Sequence, residues 1–249
     1  MPAHSTEALV GSARAPARTG GGKAVVLFLA GWLALLAPTA SGQSTQNQWT
    51  PELDAYVKLN SKVRLVGIAK RSTDGTTFNS YEVGPNLDVI FKAFRPLVRA
   101  GLRSNDDSKH HYVTFRVGYH YFINSTGPRE SRVVLELTPR YSWPWSILMS
   151  DRNRSDLRII QGKFSWRYRN RMTLERTVRI KSFSFTPYVR GEVYYDSRYE
   201  IWAKNYYSFG AVFPIRKRLE VEPNFEHDNI SRSSPAHVNA VGVTLSLYF

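Results

Sequence analysis

The sequence predicts an all-β protein, a transmembrane antiparallel up-and-down β-barrel of about twelve strands, with ten as the other count. Three observations lead there. Apolar and polar residues alternate with a period of two in segment after segment, and helical periodicity appears nowhere with comparable strength. An apolar leader precedes these segments. The chain carries a formal charge of +14 and 13% aromatic residues, yet its charges gather on one side of the alternating segments and its aromatics on the other.

The leader comes first in the chain. Arg14, Arg18 and Lys23 precede the apolar run "AVVLFLAGWLALLAP", and Ala40 and Gly42 give a small-x-small cleavage site. This is the order of a secretory signal peptide, expected over residues 1–42 and removed after Gly42. The run is short for a bilayer-spanning helix, which needs about 20 residues. Residues 43–52, with "QSTQNQ", are expected as a short periplasmic lead, and residues 53–249 as the barrel. The absence of cysteine is compatible with an oxidising compartment.

The strands follow in order. Leu53, Ala55, Val57 and Leu59 alternate with Asp54, Tyr56, Lys58 and Asn60. Leu87, Val89, Phe91 and Ala93 oppose Asp88 and Lys92, and Val113 to Tyr121 alternate with Thr114, Arg116, Gly118 and His120. Val133, Leu135 and Leu137 oppose Arg132, Glu136 and Thr138. Phe164, Trp166 and Tyr168 face away from Arg167, Arg169 and Arg171, while Phe183, Phe185 and Val189 face away from Tyr188, Arg190 and Glu192. Tyr207, Phe209, Ala211 and Phe213 oppose Ser208 and Gly210; Leu219, Val221 and Phe225 oppose Glu220, Glu222 and Glu226. The final "AVGVTLSLYF" alternates without interruption. Turn clusters such as "STDGTT", "RSNDDSKH", "NSTGPRE" and "DNISRSSPAH" separate the runs. Two stretches are ambiguous: "KVRLVGIAK" alternates poorly, and Ser150 to Asp156 reads either as a loop or as part of one long strand. An even count favours twelve strands over ten.

Energetics fix which face meets lipid. Turning eight of the strand arginines and lysines toward acyl chains would cost about 2 to 4 kcal/mol each near the midplane. The sum exceeds a typical folding stability of about 5 to 15 kcal/mol. In a membrane, the charged face must therefore line the lumen. The basic excess then points to outer-membrane lipid and lipopolysaccharide as surroundings, and not to nucleic acid.

The segments "YEVGPNLDVIF", "LMSDRNRSDLR", "FSWRYRNRMTLER", "FSFTPYVRGEVYYDSRYE" and "VNAVGVTLSLYF" together resemble the proteobacterial outer-membrane proteins grouped as domain of unknown function 2490. The resemblance covers residues 49–249. It implies an outer-membrane β-barrel whose last strand, ending in Phe249, looks like the signal read by the barrel-assembly machinery. It implies no activity, so it supplies no catalytic residue.

The residues themselves offer one distinctive constellation. Arg152, Arg154 and Arg158 precede Arg167, Arg169 and Arg171 across the tight connection "IIQGK", so that paired strands would make a basic ladder, with Arg190 on a later strand. Guanidinium forks match phosphate, carboxylate and sulfate, which makes the ladder a candidate anion-binding lining of a small-solute or anion-selective channel. The alternative is structural: Asp156, Glu175, Glu192, Glu220, Glu222 and Glu226 would neutralise the ladder and stiffen a barrel that transports nothing. A lipid-modifying enzyme is the outsider, resting on Glu226, His227, Asp228, Ser233 and His237 near the last outer loop, with no recognisable motif around them. His110 and His111 beside Asp106 and Asp107 read as a polar loop sooner than as a metal site. No cofactor is expected. The phosphate-loop fragment "GGGK" is incomplete and falls in the leader.

Overall fold

A computed structural model describes residues 45–91, 104–231 and 235–249. The leader expected over residues 1–42 lies outside them. Among the described residues there are twelve strands: β1 (Thr45–Lys58), β2 (Val63–Asp74), β3 (Thr77–Phe91), β4 (Val113–Asn124), β5 (Glu130–Trp143) and β6 (Ile147–Ile160), followed by β7 (Lys163–Glu175), β8 (Val178–Ile180), β9 (Phe183–Asp196), β10 (Ile201–Arg216), β11 (Leu219–Ile230) and β12 (His237–Tyr248). The other regular elements are two short 3₁₀ turns, Asp107–His110 and Pro144–Ser146.

Consecutive strands pair antiparallel around the sheet, and β1 closes it by pairing with β12 in parallel, from Thr45 opposite His237 to Tyr56 opposite Tyr248. The three-residue β8 continues β7 beyond Arg176 and Thr177, and both pieces pair with β9. The wall therefore has eleven staves and one parallel joint, where an even count would have made every joint antiparallel. Closure leaves no sheet edge to satisfy.

Both ambiguous stretches are strands. "KVRLVGIAK" supplies β2, whose poor alternation has a simple cause: Val66 and Ile68 point inward while Gly67 and Ala69 take outward places, so hydropathy hardly changes along the strand. Ser150 to Asp156 lies within β6. Residues 45–52 depart from the expected lead. They form the first half of β1, with Gln48 opposite both Asp74 and Ala240. Residues 45–48 are polar on both faces near the rim and only Trp49 and Pro51 follow on the outer face, so the backbone ladder holds them with little apolar stripe to announce it.

Between β6 and β7, Gln161 and Gly162 both have positive φ, 50° and 77°, as a two-residue type I′ turn requires. That turn sets the register of the two arginine strands, Arg152 opposite Arg171 and Arg154 opposite Arg169.

Burial is inverted relative to a water-soluble sheet. Asp88, Asp156, Arg158 and Glu192 are buried, whereas Leu137, Val189, Tyr207 and Val241 stand outside; Arg158 is 0% exposed and Val189 54%. An apolar exterior around a polar interior is what a barrel wall in lipid requires.

Candidate functional site

The inward face of the barrel is a network of paired charges. Placing like-charged arginines directly opposite one another on β6 and β7 is destabilising unless carboxylates intervene. They do. Glu192, opposite Arg171 on β9, accepts from Arg169 Nε at 2.7 Å, Arg171 Nε at 2.6 Å and Arg152 Nη2 at 2.8 Å. Asp156 accepts from Arg154 Nε at 2.6 Å and lies 3.8 Å from Arg169 Nη1. Asp88 holds Arg64 and Arg116 through bonds of 2.6 to 3.0 Å. The carboxylates of Glu192, Asp156 and Asp88 are fully buried behind the guanidinium groups they hold.

The network forms three levels along the barrel axis. Toward the rim where β6 turns into β7, Arg158 and Arg167 pair with Asp196 at 2.7 and 3.0 Å, Arg198 joins the same carboxylate, and Arg132 pairs with Glu130 at 2.6 Å. The middle level surrounds a chamber of about 270 Å3. On one side of it stand Arg116, Arg152, Arg154, Arg169 and Arg171 with Glu82 among them, and on the other Glu52, Asp54, Glu222 and Glu226 from β1 and β11, with Lys70 on Glu52 and Arg190 on Glu222. Small polar residues of the intervening β12, Thr244 and Ser246, leave the chamber its width. Arg190 reaches Glu222 at 2.9 Å across β10, and Tyr188 donates to the same carboxylate at 2.6 Å because Gly210 leaves room for its ring; a Cβ there would lie 2.5 Å from Tyr188 Oη.

The third level closes the opposite mouth. After β3, residues 104–111 fold back into the barrel. Asp106 pairs with Arg64 at 2.6 Å, Lys109 with Glu175 at 2.8 Å, and Glu220 accepts from the Asn105 backbone N–H and the Ser104 hydroxyl. Ser108, almost fully buried, accepts from Arg64 and Arg140. Burial alone would raise the Asp106 pKa, but Arg64, Arg140 and Lys109 outweigh it and hold the carboxyl well below the usual range.

All seven arginines singled out in the sequence line the interior, but only Arg152, Arg154, Arg169, Arg171 and Arg190 reach the chamber; Arg158 and Arg167 belong to the rim level. Of the six counter-charges, Asp156 and Glu192 serve the ladder, Glu222 serves Arg190, Glu175 and Glu220 anchor residues 104–111, and Glu226 lines the chamber with Lys70. Phe249 is 63% exposed, its N–H donating to Tyr56 O and its carbonyl accepting from Lys58 N.

The outsider's cluster does not come together. Glu226 and Asp228 point inward, Asp228 onto Lys204 at 2.6 Å, while His227 and His237 stack on the outer face among Asn229 and Asn239. Strand parity separates them, and Ser233 lies outside the described residues. Asp106 and Asp107 are spent on Arg64 and Lys58, not gathered around His110 and His111.

Sequence reasoning missed Glu82, His120, Glu130 and Asp196 as partners of this network, and missed the role of residues 104–111. His120 bonds Glu82 at 2.7 Å and Asn86 at 2.9 Å. Its parity with Arg116 was the available signal.

The model of a family described as "Protein of unknown function (DUF2490)" matches residues 80–239, which contain the arginine strands and most of their carboxylates. The chain belongs to this family. A solved structure of the NanC porin is similar to this chain, with a TM-score of 0.46 and 13% identity over 81% of this chain and 97% of that one. Comparison with curated proteins gives no match.

Proposed function

We propose that the protein is an integral barrel of the bacterial outer membrane that admits small polar solutes through its lumen, with residues 104–111 as the barrier at one mouth. The observation that carries this reading is the charged chamber inside a closed wall whose outer surface is apolar. The leader expected over residues 1–42 and the apolar outer wall support the outer membrane as its place, with lipid and lipopolysaccharide around it and the barrel-assembly machinery as its route of insertion.

Of the two transport readings, the geometry favours small solutes over simple anion selectivity. Three ladder arginines share Glu192 and two share Asp196, so the ladder keeps a positive excess. Over the whole chamber lining, however, two lysines and six arginines meet seven carboxylates and the net charge is small. The chamber's arginine side faces a carboxylate side, which suits solutes bearing groups of both signs.

Planar-bilayer recording of the purified protein tests this. Small current steps with a reversal potential near zero in a KCl gradient, changed by Arg169→Ala with Arg171→Ala, are expected. Silent membranes, including with Arg64→Ala to loosen residues 104–111, would remove transport. The second reading, a structural barrel without transport, draws on the dense pairing of the lumen and on the tethered segment across its mouth. It predicts that silence.

A further inference from the structure

The outer face of β6 and β7 breaks its own rule at its centre. Along β6 the outward residues run Ile147, Met149, Asp151, Asn153, Ser155, Leu157 and Ile159; along β7 they run Phe164, Trp166, Tyr168, Asn170, Met172 and Leu174. Polar residues thus occupy the middle of both strands and apolar residues both ends. The flanking strands are apolar at the same level: Leu137 pairs with Asn153, Leu135 with Ser155, and Val193 with Asn170. The result is an island of carboxylate, amides and hydroxyls surrounded by apolar surface.

The island is internally bonded. Tyr168 donates to Asn153 Oδ1 at 2.6 Å, and Asn170 Nδ2 donates to Asp151 Oδ1 at 2.6 Å and to Asn153 Oδ1 at 3.1 Å. Capacity is left on both sides of the ledger: Asp151 Oδ2 and Asn170 Oδ1 accept from no described residue, and Asn153 Nδ2 reaches only the Asp151 carbonyl at 3.5 Å. None of these side chains touches the lumen network. The other outward polar group, around His227 and Asn239, lies at strand ends, where a rim meets water, and raises no comparable problem.

We propose that this face is covered by a second copy of the chain, the two islands meeting across a two-fold axis. A carboxylate facing acyl chains is costly, and polar side chains at that depth are usually turned toward protein. A two-fold interface sets one patch against itself, so the patch must carry donors and acceptors together. This one does: spare oxygens on Asp151 and Asn170 match spare N–H capacity on Asn153. Small residues let two walls approach, and Ser155 and the outward Gly191, paired with Met172, provide them. A Cβ on Gly191 would meet nothing closer than Tyr207 Cδ1 at 3.9 Å, so its smallness answers no need within one barrel.

The absence of cysteine makes the test direct. Full-length protein carrying Ser155→Cys, reconstituted in phospholipid vesicles, is expected to form a covalent dimer on mild oxidation, while protein carrying Val241→Cys on the β12 face stays monomeric. Asp151→Leu with Asn153→Leu, which suits a lipid-facing wall, is expected to leave the circular dichroism of the barrel unchanged and to weaken the dimer at least about tenfold in sedimentation equilibrium. Three results would overturn the proposal: a monomer whose Ser155→Cys site stays uncrosslinked and accessible to lipid-borne quenchers, crosslinks from that site to a different protein in native membranes, or a dimer indifferent to the double substitution.

Discussion

The seam between β12 and β1 and the seam between β6 and β7 are built from the same kind of residue-by-residue pairing, yet they turn opposite surfaces outward. At the first, Val241, Val243, Leu245 and Leu247 lie beside Trp49, Pro51, Leu53 and Ala55, apolar throughout. At the second, the outward centre is Asp151, Asn153 and Asn170, and the inward face is a continuous arginine ladder. A period of two assigns residues to faces; it does not say what each face touches. The first seam has an outside that matches acyl chains, the second a polar centre that does not.

The largest expected effect lies inside the second seam. Glu192→Ala removes the carboxylate shared by Arg152, Arg169 and Arg171, and breaking a buried ion pair this way costs about 3 to 5 kcal/mol. Denaturant unfolding in detergent micelles should register that loss, whereas Asp151→Ala, on the outer side of the same strands, should cost the isolated barrel under about 1 kcal/mol. Equal losses would erase the distinction between lumen and island.

Next comes the outer face of the first seam. Leu245→Lys should destabilise by about 2 to 4 kcal/mol when folding is measured in lipid vesicles. Asn153→Leu should cost the monomer nothing there. A tolerated lysine at 245 would mean that this seam is not in acyl chains at all.

A smaller effect concerns the tethered segment. Arg64→Ala leaves Asp106 without its closest cation and should loosen residues 104–111 by about 1 to 3 kcal/mol, read as faster amide exchange in that segment together with a change around Asp88, which keeps only Arg116. The smallest effect is its pH dependence. The Asp106 carboxyl is held below its unfolded value, so the stability it contributes is fully present above about pH 4 and is lost as the pH falls toward the folded value. The protection factors of residues 104–111, taken against the intrinsic exchange rate at each pH, should therefore be lower at pH 3 than at pH 7, and the Asp106→Asn variant should lose that dependence.

How much of this was legible follows from the same physics. The wall was readable because alternation is imposed strand by strand, and the inward face of the arginine strands followed from parity alone, down to Arg169 and Arg171 facing away from Trp166 and Tyr168. The carboxylate that serves each arginine was not readable, because Glu192 reaches the ladder through the register of β7 and β9, which no local pattern records. Residues 104–111 read as a polar turn cluster, and their role depends on Arg64, Arg140, Glu175 and Glu220 from four different strands. Residues 45–52 hid their strand for the opposite reason: the strand is there, but its first four residues are polar on both faces and only Trp49 and Pro51 begin the apolar side. The island was visible in "SDRNRS", where Asp151, Asn153 and Ser155 share a parity with Met149 and Leu157, yet the arginines between them drew the attention inward.

The lone parallel joint between β1 and β12 has a kinetic consequence. Its partners are about 190 residues apart along the chain, as Thr50 and Val241 illustrate. Neighbouring staves can zip outward from short turns, but this joint can form only once every intervening stave is in place and the cylinder has curled round. Loop-closure entropy falls hardest on that final event, which should make it the slow step of assembly. A backbone-blocking lesion in β1 should therefore stall the molecule as an open, curled sheet sooner than as a loose coil.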